Sequence, residues 1–128
     1  MSIFKNLLSK LFNKKSEVNK VTLQQEITVL NQMVETSLIN GDNSSVLSPD
    51  NILFHTAKVK KIVIRLYDDG QLKMDRKTLD YLLTNIATQE NMITSSGKGY
   101  GITSPDIYNS QVGSSIMEIL KDIQIFVN

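Results

Sequence analysis

A chain of 128 residues, 41% of them apolar, has enough material for one domain with its own core. It contains no cysteine, which excludes disulfides, thiolate metal sites and a cysteine nucleophile and suits a reducing, cytoplasmic setting. The net charge of +1 excludes a uniformly basic, nucleic-acid-like surface, and apolar runs of three residues, such as Ile52 to Phe54 and Ile62 to Ile64, fall far short of the ~20 that a membrane-crossing helix needs.

Charge is nevertheless patterned. Residues 1–20 hold five Lys against Glu17, a block of +4, and residues 21–57 hold four acids with no Lys or Arg, a block of −4. Residues 58–77 hold seven bases against three acids, +4 again, and the remainder is −3. Alternation of this kind predicts local patches or complementary contacts within or between chains.

The first predicted element is a basic amphipathic helix within residues 1–15. Ile3, Phe4, Leu7, Leu8, Leu11 and Phe12 cover one half of a helical wheel, and Lys5, Asn6, Ser9, Lys10 and Asn13 take the other. Those polar residues also interrupt any leader-type apolar stretch, so no signal peptide is read. The pattern suits an anionic membrane surface, because the stems of Lys5 and Lys10 can extend along the apolar zone while Lys14, Lys15 and Lys20 follow close behind. Docking on a protein partner, self-association and burial in the chain's own core are the other uses of the same face.

Residues 16–20 read as a linker, and residues 21–128 as a single globular domain. Val21 to Asn40 is predicted as a long helix, with Leu23, Ile27, Leu30, Val34 and Leu38 as its stripe, Thr22 and Gln25 as a capping box and Gly41 as its stop. Ser48, Pro49 and Asp50 then supply a cap, a proline at the first helical position and a first-turn acid for a short helix ending near Ala57. Val59 to Tyr67 is rich in β-branched residues, and Asp68, Asp69 and Gly70 offer turn chemistry before Gln71 to Met74, which predicts a hairpin. Asp75 caps a predicted helix from Arg76 to Thr88, with Leu79, Leu82, Leu83 and Ile86 on one face. Thr94 to Gly101 reads as a flexible connection. A helix from Pro105 to about Lys121 buries Val112, Ile116, Ile119 and Leu120, and the alternation of Ile123, Ile125 and Val127 predicts a final strand. The expected fold is α+β, a small antiparallel sheet of about three strands covered by helices, with the N-terminal helix apart.

Candidate chemistry is sparse. On a strand, Lys61, Val63, Arg65 and Tyr67 would share one face, and with Lys73 on the partner strand they make Lys61, Arg65 and Lys73 candidate anion contacts. No nucleic-acid motif accompanies these cations. The glycines around Lys98 lack Walker spacing, and Asp68, Asp69 and Asp75 lack the acid alternation and terminal Glu of a calcium loop. His55 is the only histidine, which excludes a histidine-rich metal site, and no nucleophile elbow surrounds Ser44 or Ser45. The sequence therefore predicts a non-enzymatic adaptor with no cofactor, metal or small-molecule substrate, sited in the cytoplasm at the inner membrane surface or on a protein partner. The alternative is a structural subunit of a homo-oligomer or of a larger viral or secretion assembly.

Overall fold

The computed structural model describes residues 21–39, 46–98 and 104–127, and these form four helices. Residues 21–37 make α1, Pro49–Asp68 α2, Arg76–Lys98 α3 and Pro105–Val127 α4. No strand occurs among the described residues, so the fold is all-helical and bundle-like, and the expected sheet is absent from all three of its predicted positions. The predicted helix within residues 1–15 lies outside the described residues.

The largest correction concerns α2. Ser48 caps it, its Oγ accepting from the Asn51 N–H at 3.3 Å, with Pro49 and Asp50 in the first turn. The helix then continues through Val59 to Tyr67. Its buried positions, Ile52, Thr56, Val59, Val63 and Leu66, recur every three or four residues. Thr56 hid this period in the sequence, because a polar residue occupies a core position. β-Branched residues cost a helix only tenths of a kcal/mol each, so burying Val59 and Val63 outweighs their strand preference.

The expected hairpin turn is a helix stop. Gly70, at φ +75°, donates its N–H to the Tyr67 carbonyl at 3.0 Å, and the Gln71 N–H reaches the Leu66 carbonyl at 2.9 Å. This pair of bonds is a Schellman motif, and like the hairpin turn it demands a residue with positive φ. Gln71 to Met74 connects two helices instead of returning as a strand. Asp75 caps α3 through its Oδ1, which accepts from the Thr78 N–H at 2.8 Å.

α3 outruns its predicted end at Thr88 and takes in most of the expected loop, because Ile93 continues the buried row of Leu79, Leu82 and Ile86. α4 begins at the Ser104 cap and passes beyond Lys121, with fully buried Ile116 and Ile119 followed by Ile123 at 2% exposure. Ile125, which shares the supposed strand face with Ile123, is more than half exposed.

α3 packs on α4 and on α2. α1 closes the bundle against α4, where Gly113 sits so near Ser37 that an added Cβ would overlap its Oγ and Cβ. The Tyr108 hydroxyl, buried at 1% exposure, donates to the Leu47 carbonyl at 2.5 Å and ties α4 to the segment before α2. In α1, Thr22 lies inside the helix and not at a cap, and the buried row is Leu23, Glu26, Leu30, Met33 and Ser37. Of the predicted stripe, Ile27 and Val34 are half-buried and Leu38 is 77% exposed.

Candidate functional site

Side chains on two flanks of α2 are held by carboxylates from its neighbours. Glu26 of α1, nearly buried, places Oε2 2.5 Å from His55 Nδ1 and Oε1 3.6 Å from Lys58 Nζ. Glu90 of α3 accepts from the fully buried Thr56 hydroxyl at 2.6 Å and from Lys60 Nζ at 2.5 Å. A buried carboxylate survives only if paired and hydrogen-bonded, and each of these is. Both anchors went unread in the sequence. Their signal was helical phase: Glu26 falls on the row of Leu23, Leu30 and Met33, and Glu90 between Ile86 and Ile93.

These pairings decide which cations of the 58–77 block face outward uncommitted. Lys58 and Lys60 have carboxylate partners, as does Arg76, whose Nε donates to Asp80 at 3.0 Å. Lys61 and Arg65 are exposed, lie one turn apart on α2 and have no ion-pair partner among the described residues. The strand reading that grouped them with Val63 and Tyr67 is overturned, since Val63 is fully buried on the opposite side of a helix. Lys73 is exposed in the connection after α2 and does not share the α2 row.

Spacings of four, three and four place Phe54, Lys58, Lys61 and Arg65 along one face of α2, with Ile64 at its edge. Phe54 is 57% exposed, Ile64 is 38% exposed, and Lys58 Nζ stands 4.3 Å above the Phe54 ring centre. The row runs over 12 residues, about 16 Å of helix from Phe54 to Arg65. Chemically it is a strip of cations with an aromatic ring at one end and an isoleucine near the other, suited to phosphates or carboxylates above an apolar layer.

The remaining predicted site residues, Ile3, Phe4, Lys5, Leu7, Leu8, Lys10, Leu11, Phe12, Lys14 and Lys15, lie outside the described residues. His55 is engaged by Glu26 and stacks edge-on to Phe54 at 5.2 Å. Asp75 has its carboxyl held below the usual value of 3.8, first by the Thr78 side-chain and backbone hydrogen bonds at the start of α3. Among the described residues no group of three His, Cys, Asp or Glu is arranged to hold a metal ion, and no helix is long and apolar enough to cross a membrane.

Two open grooves flank α4. One, of about 860 Å³ against α3, is lined by Ser, Thr, Asn and Gln with Met92 and Glu118. The other, of about 420 Å³ against α1, is lined by Ile27, Val34, Met117 and Leu120 between polar rims. Comparison finds no match for this chain among protein-family models, curated proteins or solved structures.

Proposed function

We propose that the chain is a non-enzymatic adaptor that docks on an anionic membrane surface through the outward face of α2 and the basic block of residues 1–20, leaving the rest of the bundle to a protein partner. The observation that supports this reading is the exposed row Phe54, Lys58, Lys61 and Arg65, with Ile64 beside it. A Lys or Arg near an anionic leaflet contributes roughly 1 kcal/mol, so the two uncommitted cations Lys61 and Arg65 give about 2 kcal/mol, too little for stable attachment alone. The five Lys of residues 1–20 and the apolar half of residues 3–12 supply the second signal that stable anchoring requires. Keeping Lys61 and Arg65 one turn apart is mildly unfavourable within a helix, and an anionic surface relieves that repulsion.

Vesicle co-sedimentation tests the reading. The full chain is expected to pellet with vesicles of phosphatidylcholine and phosphatidylserine and not with phosphatidylcholine alone. Lys61→Glu with Arg65→Glu should weaken pelleting at least tenfold, and removal of residues 1–15 should do the same. Equal pelleting of all three proteins would remove the idea.

A further inference from the structure

α3 and α4 present a shared face almost without charge, in a chain where one residue in five is charged. From Thr84 to Ser96 the only charged residue of α3 is Glu90, which turns inward to Thr56 and Lys60 of α2, and from Ile107 to Met117 α4 has none. Tyr81 and Phe126 meet edge-on at 5.7 Å, so the two helices run antiparallel and Met92 lies level with Ser115. The groove of about 860 Å³ opens between them there. Met92, 54% exposed, stands on its α3 wall among hydroxyls and carboxamides, and Glu118 is the one charged residue of the lining. Ser115 lines the same groove, is 8% exposed, and its hydroxyl has no hydrogen-bond partner among the described residues. A polar group set that deep is ordinarily satisfied, which points to something that enters the groove.

We propose that this face is the contact between two copies of the chain, related by a two-fold axis near Met92 and Ser115, with Met92 of each copy seated in the groove of the other. Ser, Thr, Asn and Gln donate and accept alike, so a surface built from them can bond to itself. Interfaces are enriched in methionine and depleted of charge at their centres, as this face is. Glu118 is accommodated as well. It sits level with Gln89 at one end of the groove, and the two-fold axis carries it over the other end in the second copy, to Ser95, Ser96 and Gln111, whose hydroxyls and amide can donate to a carboxylate. The two Glu118 side chains are thereby kept apart.

Charge selects a second copy over a different partner. A neutral face meets itself without the like-charge repulsion that a charged patch incurs across a two-fold axis, and it offers a foreign protein no complementary field to steer by. Area agrees with a reversible pair. From Thr84 to Lys98 α3 is about 21 Å long and two adjacent helices are about 20 Å across, which gives roughly 400 Å² per copy in projection and about 1,000 Å² in all once side-chain relief is counted, the lower limit for a specific contact. The face includes no residue of α2, so the pairing is independent of the surface reading and leaves the row from Phe54 to Arg65 free.

Sedimentation equilibrium of the full chain in buffer without lipid tests the proposal. The native chain should pass from the mass of one copy to that of two, with half-dissociation at about 10–100 µM for an interface of this size. Ser114→Lys and Ser114→Glu, at an exposed position beside the axis, should each weaken the pair at least tenfold with unchanged far-UV circular dichroism, and mixing the two variants one to one should restore it. Asn91→Lys should give the same loss, whereas Gln25→Lys, exposed on α1, should leave the pair as it is. Leu7→Asp with Leu11→Asp should also leave it intact, although the surface reading has that variant lose vesicle binding. A native chain that stays single at about 500 µM, undiminished pairing of Ser114→Lys and Asn91→Lys, a mixture that fails to recover, or loss of the pair in the Gln25 or the Leu7 and Leu11 variant would overturn the proposal.

Discussion

Replacing Lys60 by Met should destabilise the bundle more than replacing its partner Glu90 by Met. Without Glu90, the Thr56 hydroxyl still has the Leu53 carbonyl at 3.2 Å, and Lys60, 30% exposed, can turn its ammonium to water. The loss is then one charge-assisted hydrogen bond with the apolar volume conserved, about 1 kcal/mol. Without Lys60, the Glu90 carboxylate stays 13% exposed with only Thr56 donating to it. An orphaned buried charge costs roughly 3–5 kcal/mol, and partial exposure lowers this to about 2–3. The double variant should fall near 1 kcal/mol, a coupling of roughly 2–3 kcal/mol. Urea unfolding followed by far-UV circular dichroism near neutral pH measures all three, with unchanged denaturant slopes as the check on two-state behaviour. Equal losses, or a greater loss for Glu90→Met, would refute the account of Glu90 as a carboxylate that needs its cation.

Three further outcomes follow from the packing. Gly113→Val should cost about 1–3 kcal/mol through overlap with Ser37, and Ser37→Gly should restore part of it, whereas full stability of the single variant in thermal unfolding would remove the close approach. Asp75 has a lowered carboxyl pKa, so its stabilisation is fully present above 3.8 and is lost as pH falls through the folded value; the melting-temperature gap between the native chain and Asp75→Ala should therefore close below that pH, and a gap constant with pH would contradict the cap. Leu7→Asp with Leu11→Asp should leave the melting of the four-helix body nearly unchanged while abolishing vesicle pelleting, and a sharp fall in melting temperature would place these side chains in the main core.

Helix starts were legible because capping is local chemistry: Ser48 with Pro49, Asp75, and Ser104 with Pro105 each mark an observed helix. What failed was the reading of where helices end. Asp68, Asp69 and Gly70 serve a hairpin or a Schellman stop equally well, and only the partner carbonyls of Tyr67 and Leu66 distinguish them. Lys60 to Tyr67 alternates as a strand would, yet Ile62 and Val63 both turn inward on a helix. α3 runs on past Thr88 through Glu90, whose partners Thr56 and Lys60 lie 34 and 30 residues away in the chain and leave no local signal. Lys61 and Arg65 are exposed, but on a helix and not on the strand face that the alternation suggests. Phe54 and Ile64 joined them only once α2 was seen to be continuous.

The order in which the helices meet also bears on how fast the chain finds its structure. α2 with α3 and α3 with α4 are sequence neighbours, so most of the body assembles through short loop closures, a topology that folds in microseconds to milliseconds. The approach of Ser37 to Gly113 is different, because it joins positions 76 residues apart and has no local contact to prepare it. Its closure entropy is recovered only after α4 has formed. The seam between α1 and α4 is thus expected to close late in folding and to open early. A change confined to that seam, such as Gly113→Val, should speed unfolding with little effect on the refolding rate.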